Sequence, residues 1–217
     1  MPVRLNGLTS GYTELSAPAV AGNNSIALPT GNGSAYQILR NGATAGSLEY
    51  TDKLVSMTAN AGGTNPFPTT GGPTAVDFTG IPSWVKRVTV MFNGVSTNGS
   101  SAPQIQLGTV PSIETSGYIG GVFASLTTSC NAQGGSTSGM DIYLGGATVA
   151  HYGQMIITNV TGNVWVSTYT MAHVGASYPL GCGASSKTLS GALTRLRLTT
   201  VNGTDTFDAG SINILYE

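Results

Sequence analysis

Charge is what this chain has least of. Eight basic and nine acidic residues among 217 give a formal net charge of −1 and a charged fraction of 8%, against about a quarter in an ordinary globular protein. The longest basic run is the pair Lys86–Arg87. No field gathers phosphates, so neither nucleic-acid binding nor attraction to anionic lipid is expected. Long apolar runs are missing as well. The opening MPVRLNGLTSGYTEL has no signal-peptide core, and no later stretch reaches membrane-span length. The chain therefore reads as a soluble product of a cytoplasm, with no membrane insertion.

Chemistry-bearing residues are equally sparse. Two cysteines, Cys130 and Cys182, are no disulfide framework, and cytosolic synthesis favours free thiols, although sequence alone leaves their pairing open. Two histidines, His151 and His173, are too few and too far apart for a recognisable metal site, and neither H-E-x-x-H nor C-x-x-C occurs. G-x-S-x-G is absent. The stretches GNGS and GGSTSG lack a Walker lysine and a following helix, so they read as turns. A glycosidase needs two carboxylates facing each other across a sugar. Asp205 and Asp208 are the nearest pair in the C-terminal part, but they flank a turn, where Asp ordinarily bonds its own backbone. An ion pair with Arg195 or Arg197 is their other ordinary use. No catalytic residue, cofactor or metal is expected.

What the chain does have is glycine, 31 residues of it, and an ordinary apolar content of 40%. Solubility then rests on Ser, Thr, Asn and Gln, a surface suited to close packing of identical subunits or to neutral glycans. The stretch TANAGGTNPFPTTGGP reads as a linker over 58–73. It separates an N-terminal segment, 1–57, from a C-terminal domain, 74–217. The C-terminal part is a succession of short runs rich in Val, Ile, Thr and Tyr, among them VKRVTVMFNGV, HYGQMIITNV, NVWVSTYTM and SINILYE. Turn signals at Asn98-Gly99, Thr161-Gly162-Asn163 and Asn202-Gly203 fall between them, and no stretch holds a helical apolar period for three turns. The spacing predicts a two-sheet, jelly-roll-like sandwich. Its core is expected from Val88, Val90 and Phe92, with Ile105, Leu107, Leu196, Leu198, Ile212 and Ile214 opposite, and with Trp84 and Trp165 packed in. His151 is expected to hydrogen-bond at a strand edge. The alternating final run, ending Ile212, Ile214 and Tyr216, is expected to be held between two other strands.

The N-terminal segment alternates brief apolar pairs with Gly/Asn turns. Ile26 and Leu28, Tyr36 and Ile38, and Leu48 and Tyr50 each straddle one residue, and the turns recur about every ten residues. So short a segment cannot bury these side chains alone. Packing against copies from other chains solves this, usually with threefold symmetry; the alternative is an arm packed on its own sandwich. Surface recognition falls to the loops STNGSSAP, TTSCNAQGGSTSG and VGASYPLGCGASSK, where Tyr118 and Tyr178 are candidates for receptor contact by stacking on sugar rings. These loops read equally well as solvated connections or intersubunit contacts.

Three stretches, FTGIPSWVKRVTVMFNGVSTNGSSAPQIQLGT, LTRLRLTTVNGTDTFDAGSINILYE and LNGLTSGYTELSAPAVAGNNSIALPTGNGSAYQIL, resemble tail-fibre and related virion fibre proteins of bacteriophages, cyanophages especially. They span about half of the chain. The resemblance implies a homotrimeric, non-enzymatic virion protein with an outward-pointing C-terminal sandwich that reads a host-surface glycan or lipopolysaccharide. It implies an extended β segment intertwined in the trimer, with Arg4, Leu5 and Tyr12 as candidate virion-anchoring residues against other virion proteins. Assembly would take place in the host cytoplasm. Tail fibres carry a longer docking domain, whereas only MPVR precedes the repeat-like segment here; a short fibre or knob on the capsid, or a tip subunit on another fibre protein, fits as well. A polysaccharide-degrading tail spike and a monomeric carbohydrate-binding module are the competing expectations.

Overall fold

A computed structural model describes residues 3–6, 10–15, 25–33, 37–42, 44, 46–52, 55–57, 66–125, 129–143, 146–147, 149–175 and 179–217. Among the described residues none is helical. The chain forms two compact units, Met1–Lys53 and Leu54–Glu217.

The first unit consists of hairpins. Strand β1 (Val3–Asn6) pairs antiparallel with β2 (Tyr12–Leu15), and β3 (Gln37–Asn41) with β4 (Leu48–Asp52). Arg40 and Glu49, opposite each other in the second hairpin, form an ion pair at 2.9 Å. A parallel bridge joins Ala27 to Ser47. None of the described side chains of this unit is buried. Ile26 and Leu28 are 70% and 75% exposed, and Ile38, Leu39 and Tyr50 are exposed too. Isolated two-stranded hairpins are marginal in water because one face has nothing to pack against.

The second unit holds β5 (Val55–Met57), β6 (Ala75–Thr79), β7 (Arg87–Thr97), β8 (Pro103–Thr109), β9 (Ser112–Ile113), β10 (Tyr118–Ser125), β11 (Cys130–Gly134), β12 (Met140–Asp141), β13 (Ala150–Thr161), β14 (Val164–Val174), β15 (Leu180–Thr188), β16 (Arg195–Thr200) and β17 (Phe207–Tyr216). An eight-stranded sheet runs β11-β10-β15-β14-β13-β7-β17-β5, and a five-stranded sheet runs β12-β8-β16-β6 with β9 attached to β8. The pairings within both sheets are antiparallel. The inward faces of both sheets contribute to one hydrophobic cluster, so the unit is built as a β-sandwich.

Strand alternation explains the core. Along β14, Trp165, Ser167, Tyr169, Met171 and His173 are buried while the residues between them face out. The β13–β14 turn closes on Gly162, at φ +50°, with the Asn159 amide donating to the Gly162 and Val164 carbonyls. Val88, Val90, Phe92, Ile105, Leu107, Leu196, Leu198, Ile212 and Ile214 are all buried, as their alternation predicts. Each such side chain contributes about 1.5–3 kcal/mol of transfer free energy. Trp84 departs from expectation. It is 42% exposed because it lies in the turn before β7 rather than on the strand, and its ring rests against Tyr216 at 6.0 Å.

Two boundaries also shift. β5 pairs with the end of β17, so 55–57 belongs with the sandwich and not with the N-terminal segment. The expected linker packs down over its described part. Phe67 is buried against the Phe207 ring at 5.4 Å, and its backbone N–H donates to the Gly210 carbonyl. Gly72 sits so close to the Phe207 carbonyl that no side chain fits there. β17 is held on both sides, by β7 along most of its length and by β5 at Ile214–Tyr216. The Glu217 carbonyl accepts from the Lys86 and Arg87 amides, and its carboxylate pairs with Arg87.

Candidate functional site

The outward face of the five-stranded sheet carries a cluster of polar side chains. Burying Ile105 and Leu107 on β8, and Leu196 and Leu198 on β16, forces their neighbours outward. Register then lines up Asp77, Arg197 and Gln106 in one cross-strand row, and Ala75, Thr199, Gln104 and Asp141 in the next. A segment from Ser136 to Ser138 lies over them. Ser138 Oγ donates to Gln104 Oε1 at 3.0 Å, Gln106 Nε2 donates to the Ser138 carbonyl at 2.9 Å, and Ser136 Oγ donates to Asp141 Oδ1 at 2.7 Å. Hydrogen bonding to Asp77 raises the Arg197 pKa further, so this guanidinium is charged at every physiological pH. The result is a shallow groove of about 350 Å³ lined by Gln104, Gln106, Arg197, Thr199, Ser138 and Asn202. Gln104, Gln106 and Thr199 are buried in its floor, so the groups it offers are the guanidinium of Arg197 and the polar side chains of Ser138 and Asn202 at its rim, with Arg197 already paired to Asp77. Such a lining suits a hydroxyl-rich neutral ligand, and it contains no nucleophile poised beside a base.

The sequence motifs QIQLG and LTRLRLTT carry this face in their alternate positions. Reading both sides of each strand, instead of the apolar side alone, would have found it.

Tyr118, expected to touch a receptor, is buried instead. Its hydroxyl donates to the Glu114 carbonyl at 2.9 Å and accepts from the Leu107 amide at 2.7 Å, while the Lys187 ammonium lies 5.3 Å from the ring centre. Burial pushes the phenol pKa well up. A side chain so enclosed is not available for stacking on a sugar. Tyr178 lies outside the described residues. Arg4, Leu5 and Tyr12 come together in the β1–β2 hairpin, with Arg4 opposite Glu14, Leu5 opposite Thr13, and Tyr12 opposite Asn6.

The remaining titratable groups are tied into the fold. His151 is buried on β13, between β14 and β7, not at an edge. Its Nδ1 lies 2.9 Å from the Val95 carbonyl and its Nε2 3.2 Å from the Tyr143 carbonyl, and burial lowers its pKa. Asp205 accepts from the Ser101 amide and from the Asn202 side chain, and Asp208 accepts from Ser96 Oγ. The bonds from Ser101 and Ser96 reach other segments while the Asn202 bond stays within the turn, and Arg197 pairs with Asp77 rather than with either carboxylate. Arg195 instead donates to the Pro111 carbonyl at 2.6 Å. Cys130 and Cys182 are free thiols on β11 and β15, with β10 between them. Two strand spacings of about 4.8 Å exceed what a disulfide spans. Among the described residues no group of three or more His, Cys, Asp or Glu side chains converges as a metal site.

Comparison with protein-family models, with characterised proteins and with solved structures yields no match.

Proposed function

We propose that this chain is a non-enzymatic structural protein of a bacteriophage particle, a homotrimeric short fibre or knob mounted on tail or capsid. In this reading Met1–Lys53 serves assembly and attachment to other virion proteins. The jelly-roll-like sandwich presents a surface for a host glycan or lipopolysaccharide. The observation that carries the reading is the exposure of the first unit's described apolar side chains. None of its described side chains is buried, while Ile26 and Leu28 stand 70% and 75% exposed. Apolar surface left in water at this density needs a partner, and further copies of the same chain supply one through closed symmetry. The resemblance of both chain ends to phage fibre proteins points the same way. The polar groove rimmed by Ser138, Arg197 and Asn202 over the buried Gln104, Gln106 and Thr199 fits the recognition role, since its rim is polar and Arg197 is already paired with Asp77.

The test is to locate the chain on intact particles. A gold-labelled antibody against it should decorate virions in electron micrographs at regular positions. Particles that never carry label, with the chain confined to infected-cell lysate, overturn the reading.

A further inference from the structure

The two outward faces of the sandwich differ in charge. The five-stranded sheet turns Asp77, Asp141, Arg195 and Arg197 outward. The eight-stranded sheet turns out none across its middle. Register makes this explicit: one row across six strands reads Asn213, Met91, Gln154, Thr170, Cys182 and Phe123. The rows on either side of it are uncharged as well. The first charges appear at its two ends, Arg87 paired with Glu217 at one and Asp208, held by Ser96 Oγ, at the other. Tyr152 and Leu180 are 42% and 49% exposed on this face. A depression of about 200 Å³ lined by Gln154, Ile156, Thr168, Tyr169 and Thr170 lies near its middle.

We infer that this face packs against the same face of other copies of the chain. The inference rests on the fibre reading above and assigns a second assembly surface to it, in the sandwich. A sheet face without charge meets a copy of itself without desolvating an ion. Its size is right. Six strands with five spacings of about 4.8 Å, and about nine residues at about 3.3 Å, give a face of roughly 24 by 30 Å, or about 700 Å², close to the ~800 Å² per partner of a standard interface. Three faces about 24 Å wide, closed as a triangle, stand about 7 Å from the common axis, roughly the depth of one side-chain layer in packed sheets. The depression beside Ile156 is then filled from the neighbouring copies. The polar groove on the opposite sheet is left facing solvent.

The test uses the full chain and two readouts, light-scattering mass and the rate at which iodoacetamide alkylates Cys182, which lies in the middle row. Wild type should assemble, with Cys182 alkylated at least about tenfold more slowly than in the charge-bearing variants Thr89→Glu and Gln154→Glu, which lie on other strands and carry a sign that does not activate the thiol. The variants should also lose mass on dilution. An assembled wild type whose Cys182 reacts as fast as in the variants overturns this inference while leaving the fibre reading intact. A wild type that is monomeric overturns both. Should a variant fail to fold, the wild-type alkylation rate in assembled and diluted samples separates the same outcomes.

Discussion

Asp77 on β6 and Arg197 on β16 face each other in register and are joined by two parallel hydrogen bonds, Nε to Oδ1 at 2.6 Å and Nη2 to Oδ2 at 2.8 Å. Among the described residues β6 pairs with β16 alone, so this clamp holds the edge of the five-stranded sheet and one wall of the groove. Both groups are partly exposed, which limits the gain. Asp77→Asn should cost about 1 kcal/mol and lower the melting temperature by about 2–4 °C. The difference should shrink in 1 M salt, because exposed ion pairs are screened. Thermal unfolding of the two proteins at low and high salt checks this.

Lys187 is the more deeply committed cation. Its ammonium sits 2.7 Å from Glu114 Oε2, donates to the Ser116 carbonyl, and is itself buried. Glu114 also accepts from the Ser190 amide and hydroxyl, tying the end of β15 to the segment before β10. Lys187→Met strands a partly covered carboxylate and should cost about 2 kcal/mol, less than a fully buried pair because Glu114 retains some water. Burial pushes the Glu114 pKa up, but the bonds to Lys187 and Ser190 outweigh it and leave the group below the usual carboxylate range. Its stabilisation is present above the ordinary Glu pKa and fades as pH falls through the lowered folded value. In Lys187→Met that acid-limb loss should be weaker, as read from stability measured below pH 5.

His151 predicts a second, separate pH window. The imidazole is buried, its pKa is lowered by burial, and the neighbouring His173 ring stands edge-on at 4.9 Å with Tyr143 beyond it. The folded state holds the ring neutral while the unfolded chain takes up a proton, so stability should decline as pH falls through the ordinary histidine range. His151→Gln keeps an amide donor for the Val95 or Tyr143 carbonyl and removes the titration. Its stability between pH 7 and 5 should be flatter than wild type; an unchanged slope would assign the dependence to other groups.

Much of the sandwich was legible because one face of each strand is dry. The alternation of Val88, Val90 and Phe92, or of Ile212 and Ile214, states directly which way the strand faces. What stayed hidden depends on partners distant in sequence. Tyr118 looks like an exposed loop tyrosine until β8 is known to bring the Leu107 amide to its hydroxyl. His151 resembles an edge residue until β7 and β14 are seen on either side of its strand. The Gly/Pro-rich composition around Phe67 hides one apolar anchor, and a single Phe was enough to pin that segment down. Trp84 fails for the opposite reason: its aromatic size argued for the core, but its backbone lies in a turn.

The polar residues of the groove stand in the alternate positions of QIQLG and LTRLRLTT, but the strands that bring them side by side were not legible. Gln104, Gln106 and Thr199 are ordinary residues, and only register across β8 and β16 turns them into one surface. The bareness of the N-terminal unit was legible, because a segment of short apolar pairs and turns has nowhere of its own to put Ile26 and Leu28.

That bareness carries the whole account, and the mass of the full chain in solution tests it most directly. Light scattering at micromolar concentration should give three copies of the 22.0 kDa chain, and replacing Ile26 and Leu28 by Ser should weaken that assembly. A stable species of a single copy, unaltered by those substitutions, contradicts it.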